Sequence, residues 1–555
     1  MSESITIYCK NNNSYKEVPI GSSLYDIYVA IGAPLRYRPM NARVNNKVEG
    51  LTYRCWHPKD VEFLDYTHSS GLRAYVRSLC FIFAKAVHDV LPTATLNLEH
   101  PISKGYYCVI HNGKDMDHMT IEKIKSRMHE IIDADLPFHL RTVRTVDAAT
   151  LFRARNMNGK AQLIETAGMP YTSYYEMDGY VNFFYGCVVP SSGYIHLFDI
   201  EPYFDGVLLR IPRKTDPMEL EPVVRQDKMF EAYKQHLTLQ RTVGLNNVGD
   251  LNQAIEQGMA SEVIMVSEAM QEKQVSKIAE EIAVRYANGV RMVLISGPSS
   301  SGKTTFCKRL EVQLITNLLH PVALSLDDYF LNREDTPLDE NGDYDFESLY
   351  ALDLPYFNHD LGRILAGEEV ELPTFNFESG MRIYKGKKLK MKANSVLVIE
   401  GIHALNPELT LSIPDNQKYR VYVSALTSIS LDRHNWIPTT DNRLLRRIVR
   451  DYRFRGYSAK ETIARWASVR KGEDKWIFPY QENADAMFNS AMLYELAALR
   501  KYAEPILAEV RECDEENAEA YRLLRFLRYF NYIPDTKLPG TSLLREFLGG
   551  GTFTY

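Results

Sequence analysis

The chain has 555 residues, 45% hydrophobic and 25% charged, with a formal net charge of −6. At ~100–200 residues per domain this length predicts three or four domains, and the slightly acidic balance excludes a broadly basic nucleic-acid coat. No apolar run approaches the ~20 residues that span a bilayer. The opening residues carry no secretory pattern, and the seven cysteines (9, 55, 80, 108, 187, 307 and 513) contain no C-x-x-C. Reduced thiols in a cytoplasmic protein are expected.

In chain order, residues 5–9 and 15–18 alternate as a hairpin around a turn at 11–14. Ser22 or Ser23 caps a helix through Ile31 that Gly32 ends. Residues 42–48 form a second hairpin turning on Asn45 and Asn46. His111 and His118 are expected in loops rather than in a metal site. Residues 213–265 read as a polar helical connector with a helical patch at 228–239. An amphipathic helix follows over 267–286, with Val275, Ile278 and Ile282 on one stripe, ended by Asn288 and Gly289.

The most informative stretch begins at 291. An apolar strand (291–296) leads into G-P-S-S-S-G-K-T at 297–304, and helical periodicity follows over 306–315. This is the phosphate-binding pattern G-x-x-x-x-G-K-[ST] in its required strand–loop–helix context. Glycine lets backbone N–H groups turn onto phosphate oxygens, and the helix N-terminus adds partial positive charge. Gly297, Ser299, Ser300, Ser301, Gly302, Lys303, Thr304 and Thr305 are the candidate ATP-binding residues, with Thr304 suited to Mg²⁺. A second apolar strand over 321–330 ends in Asp327 and Asp328, and a third over 395–401 ends in Glu400. In a parallel sheet, strand C-terminal ends gather at the ligand crevice. An arginine run follows at 443, 446, 447, 450, 453 and 455, then Gly456. Helical spacing puts Arg443, Arg447 and Arg450 on one face, suited to clamping phosphates. Apolar residues 523, 524, 526, 527 and 530 form a further stripe, and 539–550 reads as an ordered terminal segment.

Residues 290–510 resemble the uridine kinase and phosphoribulokinase branch of P-loop kinases. The resemblance runs through 297–304, 324–330, 343–346, 373–377, 399–402 and 443–456, with 479–485 similar to the family's closing segment. It implies that Asp327 is the general base for a nucleoside 5′-hydroxyl. Asp345 would bind the ribose hydroxyls beside Arg447, and Lys303, Arg450 and Arg455 would act on the phosphates. Thr304 and Glu400, with Asp327, would support Mg²⁺. The substrate pocket would include Phe330, Phe375, Phe377, Gly380 and Tyr457. Four of these depart from the uridine/cytidine kinase pattern. Phe375 and Gly380 stand where a tyrosine and a histidine read the pyrimidine, Tyr457 replaces an arginine, and Phe330 replaces a tyrosine. Loss of such polar readers weakens base discrimination.

Residues 1–66 resemble the ubiquitin-like TGS domain of threonyl-tRNA synthetases. Residues 67–212 resemble the synthetase's second N-terminal domain, through 84–92, 105–107 and 122–131. That domain edits mischarged tRNA with a His/Cys metal set. The matching positions here are Arg77, Phe81, Phe184 and Val188, none a plausible zinc ligand.

The expected fold is therefore multidomain α/β and α+β. It comprises a TGS-like β-grasp domain (1–66), an editing-like domain (67–212), a helical connector (213–288), a P-loop kinase with a parallel sheet (289–510) and a helical tail (511–555). The expected activity is ATP- and Mg²⁺-dependent phosphorylation of a ribonucleoside, with the base open. A regulatory P-loop ATPase sensing RNA or a small ligand, and a phosphoribulokinase-like sugar-phosphate kinase, stay as alternatives. RNA or small-ligand contact through the front half and a homo-oligomer also stay open. No membrane partner is expected.

Overall fold

The computed structural model describes residues 3–113, 116–340, 342–376 and 379–554. Strands Ser4–Cys9 and Ser14–Pro19 pair antiparallel, as the hairpin reading expects. Ser4–Cys9 also runs parallel to Lys59–Leu64, which pairs with Asn41–Val44 and through it with Lys47–Gly50. The helix Leu24–Ile31 has Ser23 as its cap in a reciprocal box with Asp26, and Gly32 ends it at φ 66°. Asn45 and Asn46, at φ 47° and 55°, make the two-residue turn of the second hairpin. Five strands with one helix on the sheet give the expected β-grasp arrangement.

The next unit is built on helix Ser69–Val90, buried continuously from Ala74 to Val87. Burial on every side, Arg77, Ser78 and Lys85 included, places this helix inside a core rather than on a surface. It packs against helix His118–Asp133 and a four-stranded antiparallel sheet of Thr95–Ile102, Gly105–His111, Asp199–Tyr203 and Gly206–Arg210. His111 and His118 are not loop residues. His111 closes a strand, and His118 opens a helix because Asp117 caps it at the Thr120 N–H, 2.7 Å away.

Three helices follow, Asp227–Val243, Val248–Glu256 and Ala260–Ala287. The last starts at Ala260 rather than 267, because Val263 and Ile264 extend its buried stripe. Among the described residues, no helix is long and apolar enough to cross a membrane.

The C-terminal sheet is wholly parallel, in the order His320–Ser325, Ser395–Glu400, Met292–Ser296, Lys418–Ser424, Ala486–Asn489. Its inner strands are buried on both faces, as parallel sheets require, with Val396 to Ile399 all at 0% exposure. The second strand ends at Ser325. Asp327 and Asp328 lie beyond it in a 3₁₀ turn (Leu326–Tyr329), where the Asp327 N–H donates to the Ser325 hydroxyl at 3.3 Å.

Residues 425–438 carry the kinase unit onto the front half. Asp432 forms a buried ion pair with Lys160 at 2.7 Å, the Asn435 amide donates to the Phe183 carbonyl, and the Leu98 N–H donates to the Arg433 carbonyl. The tail is anchored through Leu543, Leu544 and Phe547, all at 0% exposure, in the same apolar cluster as Val293 and Ala148.

Candidate functional site

The phosphate loop follows the central strand Met292–Ser296 and leads into helix Lys303–Thr316. Gly297 is forced by close approach, since a Cβ there would lie 2.0 Å from the Val423 carbonyl oxygen. Gly302 is forced by backbone, at φ 87° in the left-handed region.

Three donors, one on the loop and two on the first turn of the helix, face carboxylates from distant segments. The Ser299 N–H donates to Glu473 at 3.0 Å. Thr305 donates its N–H (3.2 Å) and its hydroxyl (2.7 Å) to Glu546 of the tail. The Lys303 amine rests on the Gly297 and Pro298 carbonyls at 2.9 and 3.2 Å. Burial pushes its pKa down, opposed by the charges of Glu400, Asp327 and Glu546.

The Thr304 hydroxyl lies 3.3 Å from each Glu400 oxygen. Burial, with the Asp327 charge beside it, pushes the Glu400 carboxyl up to about 7. Asp327 and Asp328 differ in surroundings. Both are raised by desolvation, but Asp327 is stabilised as an anion by Lys303, Arg455 and Arg450. Asp328 accepts from the Phe375 N–H at 3.3 Å and feels Lys387 and Lys385 instead.

The arginine helix Thr439–Phe454 divides its cations. Arg443 is not a phosphate clamp. Its guanidinium grips Glu473 at 2.6–3.1 Å with both groups at most 1% exposed. Arg446 likewise grips Glu495 at 2.7 and 2.8 Å and donates to the Ser300 carbonyl at 3.3 Å. Removing one partner of such a pair costs about 3–5 kcal/mol, because the other charge stays buried. Both pairs therefore brace the loop from beneath. Arg447 reaches the Ser299 hydroxyl at 2.8 Å, and Arg447, Arg450 and Arg455 gather around the single carboxylate of Asp451, at 3.2, 2.8 and 3.7 Å. Burial lowers the pKa of Arg447 and Arg455.

Of the residues expected in the substrate pocket, the Phe330 and Phe375 rings meet at 5.7 Å. Gly380 is a turn residue between strands Val370–Asn376 and Met381–Leu389, at φ 68°, accepting from the Arg333 N–H. The Tyr457 ring packs under Arg465 at 5.1 Å. Phe377 lies outside the described residues. Asp345 is held through its backbone, to the Pro337 carbonyl and from the Ser348 N–H. Two residues on, Glu347 shares the field of Arg447, Lys303 and Asp327, and burial pushes its carboxyl up to about 7. Sequence reasoning missed Glu347, Asp451, Glu473 and Glu546. Only Asp451, an acid inside the arginine run, and Glu347, beside Asp345, left a visible signal.

In the front half, the Arg77, Phe81 and Phe184 positions come together. The Phe81 and Phe184 rings lie 6.4 Å apart, and Arg77 donates to the Cys187 carbonyl at 3.4 Å.

Residues 292–496 match the model of the Phosphoribulokinase / Uridine kinase family. The chain is similar to a threonine--tRNA ligase of Geobacter sp. strain M21, 26% identical over 193 residues, which is 34% of this chain and 30% of that protein. That match falls on the N-terminal region. The chain is also similar to a uridine kinase of Schizosaccharomyces pombe, 31% identical over 35% of this chain and 37% of that protein. A uridine kinase of Staphylococcus aureus is 29% identical over 34% of this chain and 83% of that protein. The chain thus spans 30% to 37% of the length of the first curated relatives it matches. A solved structure of a possible uridine kinase from Bacillus stearothermophilus aligns at 16% identity and TM-score 0.27, over 38% of this chain and 98% of that one.

Proposed function

We propose, from a C-terminal domain of the phosphoribulokinase/uridine kinase family, that this chain is an ATP-dependent nucleoside kinase acting on a ribonucleoside 5′-hydroxyl. The observation that carries this reading is the divergence of two adjacent aspartates. Asp327 stands among the cations Lys303, Arg455 and Arg450, whereas Asp328 is tied to the Phe375 backbone.

In the proposed reaction the hydroxyl proton passes to Asp327. The hydroxyl oxygen bonds to the γ-phosphorus in line as the bond from phosphorus to the β–γ bridging oxygen breaks. Lys303, Arg450 and Arg455 hold the phosphate oxygens, and the N–H groups of residues 297–305 cradle them. Thr304 and Glu400, with Asp327, would hold Mg²⁺. The hydroxyl lying 3.3 Å from both Glu400 oxygens is a hard-oxygen set that fits the ion. When bound, the cation would offset charge on the β- and γ-phosphate oxygens.

Phe330 and Phe375 supply apolar walls, in keeping with weak base discrimination. Asp345 and Arg447 are the candidates for the ribose hydroxyls, and Glu347 joins them. Seven free thiols suit a reducing cytoplasm.

The test is a pair of variants. Asp327→Asn should lower kcat by about 10²–10⁴-fold with little change in ATP affinity, and Asp328→Asn should retain most of its turnover. The reverse pattern refutes the assignment of the base.

A further inference from the structure

A cavity of about 540 Å³ lies between the front half and the kinase sheet. Helix Ser69–Val90 and the strands around Lys104 form one wall. The end of strand Lys418–Ser424 and the start of helix Thr439–Phe454 form the other. Lys303, Thr304, Asp327, Asp345 and Glu400 are not in its lining, and only Pro298 of the phosphate loop reaches it. Its size is that of a small-ligand site, about 300–1,000 Å³.

The lining is cationic. Arg73, Arg77, Lys104, Arg443 and Arg470 face one carboxylate, Asp441. Most of these charges are already answered. Asp441 grips Arg522, Arg73 meets Glu519, and Arg443 and Arg470 share Glu473. Arg77 is different. It is 9% exposed, and its guanidinium donates to a neutral partner, the Cys187 carbonyl at 3.4 Å, rather than to a carboxylate. Its guanidinium lies 5.2 Å from the Tyr185 ring and is admitted by Gly186, where a Cβ would sit 2.4 Å from the guanidinium carbon.

Four further lining residues carry a buried polar atom without a hydrogen-bond partner. These are the Tyr422 hydroxyl, Arg443 Nε, His100 Nδ1 and the Thr439 hydroxyl. Unpartnered buried atoms occur elsewhere in the described residues too, but a buried polar group ordinarily has a partner, so those on the lining leave hydrogen-bonding capacity that a ligand in the cavity can take up. Guanidinium forks suit phosphate. Flat apolar surface is supplied by Trp436 and Tyr106, 4.5 Å apart, and by Tyr185.

The cavity is also wired to the phosphate loop. Arg443 lines it and holds Glu473, and Glu473 in turn holds the Ser299 N–H.

We propose that this cavity binds a small phosphate-bearing molecule with a planar ring, of nucleoside monophosphate size. Its occupancy changes nucleotide affinity at the phosphate loop through Arg443, Glu473 and Ser299. By reciprocity, nucleotide at the loop changes affinity at the cavity by the same factor.

The test titrates the full chain with adenosine 5′-monophosphate, uridine 5′-monophosphate, ribose 5-phosphate and inorganic phosphate. Fluorescence of Trp436 is the readout, with Trp436→Phe assigning the signal. The expected result is a saturable change with a monophosphate, weaker with ribose 5-phosphate and weakest with phosphate. Arg77→Gln weakens it by about ten-fold or more, the order of a charged hydrogen bond, while the KM values without effector stay unchanged. Tyr422→Phe, which removes only the unpartnered hydroxyl, also weakens it and serves if Arg77→Gln does not fold. Saturating monophosphate shifts ATP affinity in the parent and not in Arg77→Gln. The proposal is overturned if no probe gives a Trp436-dependent change, if the parent and both variants bind alike, or if ATP affinity ignores the monophosphate. The readout is binding, so a failure of the kinase reading leaves this test intact.

Discussion

Glu546 offers a direct probe of how the loop is held before nucleotide arrives. Its carboxylate takes both donors of Thr305, at 3.2 and 2.7 Å, beside the N-terminus of helix Lys303–Thr316, where anions are favoured. A phosphate oxygen seeking the Thr305 N–H must displace it. Hydrogen bonds to a charged group contribute about 1.5–3 kcal/mol, which corresponds to about ten- to hundred-fold in affinity. Glu546→Ala deletes the competitor while Leu543, Leu544 and Phe547, all at 0% exposure, keep the tail docked. ATP should therefore bind about ten- to hundred-fold tighter to Glu546→Ala by calorimetry, with the thermal midpoint little changed. Glu546→Gln, neutral but still an acceptor, should fall between. An unchanged or weaker ATP affinity in a folded Glu546→Ala protein refutes the reasoning, because Thr305 would then not serve phosphate.

Lys303→Ala should abolish turnover with normal folding, since the amine lies on loop carbonyls and not in the apolar core; near-normal ATP turnover would sink the loop assignment. Glu347 has its pKa raised from the usual carboxylate range to about 7, so the folded state binds more protons and the parent loses stability as pH rises from about 4.5 to about 7. The thermal midpoint of Glu347→Gln should therefore gain on the parent across that window and level off above it; a pH-independent difference contradicts this. With Arg77, Phe81, Phe184 and Val188 at the metal positions, purified full-length protein should hold no stoichiometric zinc in its front half. One equivalent by elemental analysis, lost on truncating residues 1–212, overturns that expectation.

Local chemistry made much of this fold legible. The Ser23–Asp26 cap, the Asn45–Asn46 turn and the strand–loop–helix around Lys303 are each set by residues a few positions apart. The site's remaining partners are not local. Glu473 and Glu546 meet the loop across 174 and 241 residues of chain, and nothing in either segment distinguishes those glutamates from surface ones. The arginine run shows the same limit. Helical spacing groups Arg443 with Arg447 and Arg450, but it does not reveal that Arg443 faces a buried Glu473 while the others gather on Asp451. Gly380 reads as a missing side chain by comparison with a family. Its backbone at φ 68° in a tight hairpin is an independent reason for glycine there.

The most direct test of the account is a transfer assay. Full-length protein is supplied with γ-labelled ATP, Mg²⁺ and, separately, the four ribonucleosides, their 2′-deoxy counterparts and ribulose 5-phosphate. Label is then followed into identified products. The account predicts labelled ribonucleoside 5′-monophosphates without a steep preference for uridine, poor transfer to 2′-deoxynucleosides, and loss of both in Asp327→Asn. Label appearing only as free phosphate, or only in the sugar bisphosphate, would contradict it.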